Sequence, residues 1–430
     1  MKKTFATIAL LACCTAFALA QARPTLAIMP FTGGAEGEGD TIASLISVDP
    51  GILRTFTVTM RPSASDDRVP EHYSVAGIGR LLNAEYVLTG RIHQLGTGNL
   101  LTASIVSVQT FRKVAGYHLR YRSIADFRRA LPSMSVSMAN AAMGRGTQGL
   151  SSLAVIPFVY NDGVSSAEAE MLEQVLATEI LNTGRYAVLS RTHAMQAALS
   201  EMEFQLGGWT DLDTVVSHGM ATNADYVLSG RIYRLGGENI LMTSVINVET
   251  FEQVAGDHFL YRNIGDAIGF LPSMSRNIAA ASMRRGTQNL PSLAISPFVF
   301  RSEAGTHDAQ ILAQVLAAEI LRTGRYTVLP RTHAVQAAIN EQVFQRQGFT
   351  AVEGVARLGY AATADFVLVG EVIEIRGVNM LTIRIVNVLD GGILAGTQGE
   401  YRTLGDGISL MAEIARFLTD PLRLPTVGRH

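Results

Sequence analysis

The chain repeats itself at a fixed spacing, and that constrains its fold more than any other feature. Ser152-Leu153-Ala154-Val155-Ile156-Pro157-Phe158-Val159 returns as Ser292-Leu293-Ala294-Ile295-Ser296-Pro297-Phe298-Val299, 140 residues later. The same spacing carries Thr183-Gly184-Arg185-Tyr186 onto Thr323-Gly324-Arg325-Tyr326, and Arg191-Thr192-His193-Ala194 onto Arg331-Thr332-His333-Ala334. It also relates Ala84-Glu85-Tyr86-Val87-Leu88 to Ala224-Asp225-Tyr226-Val227-Leu228 and to Ala364-Asp365-Phe366-Val367-Leu368. Self-similarity at one period means that a structural unit is copied in tandem. The opening Leu26-Ala27-Ile28-Met29-Pro30-Phe31 stands only 127 residues before its partner. The first copy is therefore trimmed in its front half, as terminal repeats that act as caps often are.

These spacings predict three tandem α/β (α+β) domains over 23–148, 149–288 and 289–430, behind a leader at 1–22. Within the second repeat, Leu153–Phe158 is a short apolar run of the kind a buried strand shows. A helix capped by Ser165, with Glu168 completing a capping box, carries Leu172, Val175, Leu176 and Ile180 on one face. Gly184 suits the left-handed position past its end. A second strand at Tyr186–Leu189 leads to a helix bearing Met195, Ala198, Leu199 and Met202, and to a third helix starting at Thr210 or its counterpart Thr350. Three strands then follow at 226–235, 240–248 and 254–261, joined by short turns as an antiparallel meander. A last helix runs over 266–283. The order βαβααβββα predicts a mixed sheet of about five strands with packed helices in each copy.

Lys2 and Lys3 precede an apolar stretch from Phe5 to Ala20, followed by small residues at Ala18, Ala20 and Ala22. This is the pattern of an export signal, too short for a spanning helix. Leu10-Leu11-Ala12-Cys13 resembles a lipoprotein cleavage site, but apolar sequence continues beyond it. The expectation is a free chain starting near Gln21 or Arg23, exported to the periplasm or associated with the outer membrane. Both cysteines, Cys13 and Cys14, would leave with the leader, which removes disulfides and thiolate metal sites. Losing Lys2 and Lys3 takes the formal charge from −2 to −4, so no nucleic-acid partner is expected. With 48% hydrophobic and 17% charged residues, each repeat can bury a core and is not disordered.

An opening apolar-Pro-Phe strand, a helix, Gly-Arg-Tyr-x-Val-Leu-x-Arg, a helix with Glu201 and Phe204 (Glu341 and Phe344), and Ala-Asp-Tyr/Phe-Val-Leu-x-Gly occur in that order. In this order the chain resembles one superfamily: CsgG-like domains of curli secretion, LpoB-type penicillin-binding-protein activators, and the amino-terminal domain of TolB. The resemblance implies a non-enzymatic envelope domain that works by protein contact. It departs in three ways: the meander turns leave no inserted hairpin to form a pore, the lipid anchor usual in activator and curli-type members is not expected here, and three copies replace the usual one.

His193 and His333 lack the second ligand that a metal or catalytic reading needs and read as helix-start residues. Gly33–Gly39 follows a strand but has no P-loop lysine, and its acids Glu36 and Glu38 would repel phosphate; it reads as an acidic loop. Glu85, Asp225 and Asp365 recur before the third strand and are expected to satisfy backbone N–H groups. Trp209 and its counterpart Phe349 are the candidate partner contacts. Met134, Met138, Met143, Met274 and Met283 are expected to pack between domains. No catalytic residue, cofactor or metal is assigned. The leading reading is an envelope scaffold or adaptor that contacts another envelope protein, a cell-wall synthase or an outer-membrane assembly. The alternatives are a CsgG-like secretion oligomer and a small-ligand protein using an inter-domain cleft.

Overall fold

The structure, a computed structural model, describes residues 23–60, 75–144, 149–161, 163–190, 219–220, 222–283, 290–296, 298–300, 306–329 and 363–420. They form two compact units, one of residues up to 111 with 119–144, the other of 112–118 with everything from 145 onward. Both are mixed α/β, as the sequence pattern predicts.

In the first unit, β1 (Thr25–Ile28) lies between β3 (Thr57–Met60) and β4 (Tyr86–Leu95), parallel to both. A strand flanked in this way is covered on both faces, and Leu26, Ala27 and Ile28 are fully buried. β4 continues antiparallel into β5 (Gly98–Ser107), and β2 (Thr32–Gly33) pairs with β4; β6 (Lys113–Tyr121) begins in the segment 112–118 of the second unit and ends in the first. Helices α1 (Glu38–Ser47), α2 (Pro50–Leu53), α3 (Val75–Leu81) and α4 (Ile124–Gly144) complete the unit. Pro50 follows directly on the shortened helix, where a proline would ordinarily stop it, but helical backbone resumes there. It opens one further turn, with Asp49 as N-cap accepting from Gly51 N at 2.8 Å, because a proline fits the first helical position.

The second unit contains the same element series twice. β7 (Ser152–Val155) lies between β9 (Ala187–Val188) and β10 (Tyr226–Leu235), and β13 (Ser292–Ile295) lies between β15 (Thr327–Leu329) and β16 (Phe366–Ile375). Short strands β8 (Val159–Tyr160) and β14 (Val299–Phe300) pair with β10 and β16. The meanders are β10 with β11 (Glu238–Asn247) and β12 (Gln253–Tyr261), and β16 with β17 (Val378–Asn387) and β18 (Ile393–Tyr401). The helices are α5 (Ser166–Asn182), α6 (Ile264–Met283), α7 (Thr306–Thr323) and α8 (Leu404–Leu418). All ten strands of the main path form one sheet, joined where Gln253 of β12 meets Val328 of β15. The helices expected between the second and third strands of repeats two and three, at 192–202 and from Thr210 and Thr350, lie outside the described residues.

Four contacts recur and account for the repeated motif. The phenylalanine of Pro-Phe packs against the glycine of Val-Leu-x-Gly. A Cβ on Gly90, Gly230 or Gly370 would come within 2.4, 2.5 or 2.3 Å of the ring of Phe31, Phe158 or Phe298. The tyrosine of Gly-Arg-Tyr meets the first residue of the third strand edge-on: Tyr186–Tyr226 at 5.8 Å and Tyr326–Phe366 at 5.9 Å, with Phe56–Tyr86 at 5.7 Å in the first repeat. The acid before that strand clasps the start of the first strand. Asp225 Oδ2 accepts from Ser152 N and Oγ at 2.7 and 2.9 Å, while Asp225 N donates to Ser152 Oγ at 2.9 Å. Asp365–Ser292 and Glu85–Thr25 repeat the exchange. These acids do bind backbone N–H, but on a strand 73 residues away in repeats two and three rather than locally.

The fourth contact ties the first helix to the end of the meander. Tyr261 Oη donates to Glu168 Oε1 at 2.8 Å, and Tyr121 Oη to Glu38 Oε1 at 2.8 Å. Burial, reinforced by the adjoining carboxylate, pushes both phenols well above their ordinary value. Glu168 is therefore committed to the meander. Its backbone N is capped by Ser165 Oγ at 3.1 Å, and the cap is one-sided rather than the full box. Glu38, expected in an acidic loop, is likewise used structurally. In the third repeat Asp308 replaces the glutamate, one methylene shorter, and the buried Tyr401 Oη has no hydrogen-bond partner; its pKa is pushed up to about 12 by burial and then by Asp308. Met274 packs inside its own repeat, accepting from Thr243 Oγ1 at 3.7 Å, and Met143 is exposed. The expectation that these methionines fill inter-domain junctions is not met by either. Met134 and Met138 are buried on α4, and the Met283 side chain lies outside the described residues.

Gly230→Ala should lower unfolding stability by about 1–3 kcal/mol, the usual cost of overpacking a filled site, in denaturant titration. Tyr261→Phe should cost about 1–3 kcal/mol, since it removes a hydrogen bond to a charged acceptor. Tyr401→Phe, which removes an unpartnered hydroxyl, should be neutral to within about 0.5 kcal/mol or stabilising.

Candidate functional site

The most developed surface in the second unit is a helix laid against the last meander strand of the preceding repeat. It occurs twice. Val254, Ala255 and Gly256 of β12 are buried, and a Cβ on Gly256 would touch Ala318 of α7 at 3.4 Å. Val114, Ala115 and Gly116 of the segment 112–118 are buried in the same way, and a Cβ on Gly116 would stand 3.0 Å from Thr178 of α5. Small residues on the strand let a helix approach closely, so apolar contact is made at short range. Behind β12, Ile240 and Met242 join the core built by Leu312, Val315 and Leu316 of α7, with Tyr233, Leu235 and Leu260 packed at its margin.

Each junction also carries a histidine facing a glutamate. His118 Nε2 lies 2.7 Å from Glu179 Oε1, a hydrogen bond donated by the ring. The pair 140 residues on, His258 Nδ1 and Glu319 Oε1, is separated by 3.8 Å, and His258 Nδ1 is buried without a hydrogen-bond partner. Beside it the buried Asp257 accepts from Asn277 Nδ2 at 2.8 Å and lies 3.5 Å from Arg322 Nη1, which also donates to Glu319 at 2.9 Å. Burial is the chief influence on His258 and lowers its pKa; Glu319 and Asp257 oppose that shift and Arg322 adds to it. The ring is therefore neutral at neutral pH, and the close carboxylate is balanced by the arginine rather than by an imidazolium.

The residues singled out beforehand contribute differently. Trp209, Phe349, His193 and His333 lie outside the described residues. Glu85, Asp225 and Asp365 sit in the strand clasps. His118, His258, Glu179 and Glu319 carry no metal-ligand or nucleophile spacing within one copy, so no single repeat marks them. The available signal was comparative: both members of the pair recur at spacing 140, and the third repeat has Gln398 in place of the histidine. Among the described residues no cluster of three or more His, Cys, Asp or Glu could hold a metal. A cavity of about 370 Å³ in the second unit is lined in part by Arg234, Glu238 and Asp308. Arg234 Nη1 is spent on Gly163 O at 2.9 Å and Glu238 on Arg262 Nε at 2.9 Å, so its charges do not converge on a ligand.

The depressed histidine has a pH consequence. The unfolded chain, with an ordinary histidine value of about 6.5, binds a proton that the folded ring resists. Stability contributed by neutral His258 is therefore complete above that value and declines as pH falls toward the lowered folded pKa. In thermal unfolding from pH 7.5 to 5, His258→Gln should flatten the acid-side loss of Tm, and an unchanged slope would place the titration elsewhere.

No family profile matches the chain, and no curated protein matches it. Among solved structures, the LpoB C-terminal domain from Salmonella enterica is similar at 12% identity and TM-score 0.21, covering 28% of this chain and 87% of that one. TolB from Acinetobacter baumannii is similar at 19% identity and TM-score 0.23, covering 29% of each chain. Lipoprotein GNA1162 from Neisseria meningitidis is similar at 22% identity and TM-score 0.21, covering 30% of this chain and 99% of that one. Each likeness spans less than a third of the chain, and it is a likeness of fold alone.

Proposed function

We propose that this chain is a non-enzymatic, exported envelope protein that acts as a scaffold or adaptor through protein–protein contacts. The observation that carries the reading is the reuse of one docking device. The same strand surface, with its apolar-Ala-Gly run and a histidine facing a glutamate, seats a helix at segment 112–118 and again at β12. A chain that joins α/β elements by repeating a contact surface is built for recognition of helices. The repeated motif and its resemblance to envelope activators and assembly proteins point to a partner of the same compartment, a cell-wall synthase or an outer-membrane assembly. No helix among the described residues is long and apolar enough to cross a membrane. The three meander hairpins turn at 96–97, 236–237 and 376–377, without the long insertion that a pore-forming secretion component needs.

Chemical cross-linking of intact envelopes followed by affinity recovery of the tagged full chain should yield one reproducible envelope partner. Recovery of none across independent preparations would overturn the adaptor reading. Mass spectrometry of the mature amino terminus should find a start near Gln21 or Arg23; a diacylated Cys13 would instead anchor the chain to a membrane.

A further inference from the structure

The third repeat carries the same strand surface, and none of the described residues of the second unit covers it. β18 keeps the motif as Leu394-Ala395-Gly396, where β12 has Val254-Ala255-Gly256 and segment 112–118 has Val114-Ala115-Gly116. In those two the run is buried; in β18 Gly396 is exposed and Leu394 and Ala395 are half-buried. A Cβ on Gly396 would meet only its own sheet, at 3.4 Å from Ile383 O and 3.5 Å from Arg384 Cγ. Leu235 packs on the core of the following repeat, whereas its counterpart Ile375 is 56% exposed. Where β12 and the turn before it have Gln253 and Glu249, β18 and its turn have Ile393, 59% exposed, and Leu389, 86% exposed. The terminal repeat of an array is normally made polar on its outer face, and edge strands are normally protected by lysine, proline or a covering element. β18 contains neither lysine nor proline; exposed Ile393 and half-buried Leu394 flank its Ala-Gly run, with Gln398 and Glu400 further along the strand.

We infer that this face is a docking site for the first helix of a partner protein's domain of the same fold. The inference rests on the adaptor reading and names the surface and the chemistry it recognises. Continuity with the two existing junctions identifies the occupant as an amphipathic helix with a small residue at closest approach, as Thr178 and Ala318 provide. Gln398 in place of the histidine removes the demand for an opposing glutamate. A second copy of this chain has no such helix to offer. Its α5 and α7 are already seated, and the corresponding helix of the first repeat is broken. Val48 aligns with Thr178 in the register set by Glu38 and Glu168, but Asp49 leaves the helix to cap α2. Gly51 is turned toward Ser135 and Val136 of α4.

The test uses the mature full chain and a stapled, fluorescein-labelled peptide with the sequence of residues 165–182, the capped α5 helix. Fluorescence anisotropy should show saturable binding, weakened at least tenfold by Gly396→Trp and unchanged by the control Glu249→Ala. Circular dichroism and Tm of Gly396→Trp should match the parent, because that Cβ points away from its own core. Absence of binding, or equal binding to Gly396→Trp, overturns the proposal. Light scattering should find a monomer; a dimer abolished by Gly396→Trp would make the occupant a second copy and overturn the partner assignment. In the envelope cross-linking experiment, Gly396→Trp should lose the partner. If it recovers the same partner as the parent, the face is wrong while the adaptor reading stands; if the parent recovers nothing, the adaptor reading itself fails.

Discussion

A four-residue strand with parallel neighbours on both sides has no exposed face, and β1, β7 and β13 are each placed this way. Every side chain of Leu26–Ile28 and Leu153–Val155 must then be apolar, and the strand must be held at its ends rather than by its faces. The polar work moves to the margins. A serine or threonine at the strand's first position exchanges hydrogen bonds with the acid before the third strand, and the phenylalanine beyond its far end closes over a glycine. The aromatic pair between second and third strands seals the remaining side. Remove the central strand and these contacts lose the element they converge on.

That economy leaves the meander as the variable part. Its first strand is bound to the core strand, but its last strand faces outward and needs a cover. At two positions the cover is the first helix of the next copy, admitted by Ala-Gly backbone and steered by histidine, glutamate and, at β12, an aspartate–arginine pair. Burial makes His258 costly to protonate despite the nearby carboxylates, so this junction loses stability as the pH falls. The third copy replaces His258 and Asp257 by Gln398 and Thr397 and keeps the Leu394-Ala395-Gly396 run, which suits a contact made with another molecule.

Much of the repeat was legible before any coordinates. Period-2 apolar runs and glycine turns placed the meander strands to within two or three residues, and Gly184 takes the left-handed conformation its position implied, at φ 67°. The bounds missed are those where a side chain chooses a distant partner. Glu168 looks like the second half of a capping box, but Tyr261, 93 residues away, claims its carboxylate. Pro50 reads as a helix stop, yet it starts a turn once Asp49 caps it. Methionines on the last helix read as junction filler, but Met274 faces its own sheet.

By itself the sequence determined the copying of one unit, the strand order of its meander and the residues that must be buried, because periodicity and φ-permissive glycines are local properties. Only the tertiary structure decided which residue each polar group would meet and which surfaces would be covered, because those depend on where elements far apart in the chain come to lie. The Ala-Gly run is the clearest case. Its three copies are nearly identical as sequence, and two are buried under a helix while the third has no cover among the described residues.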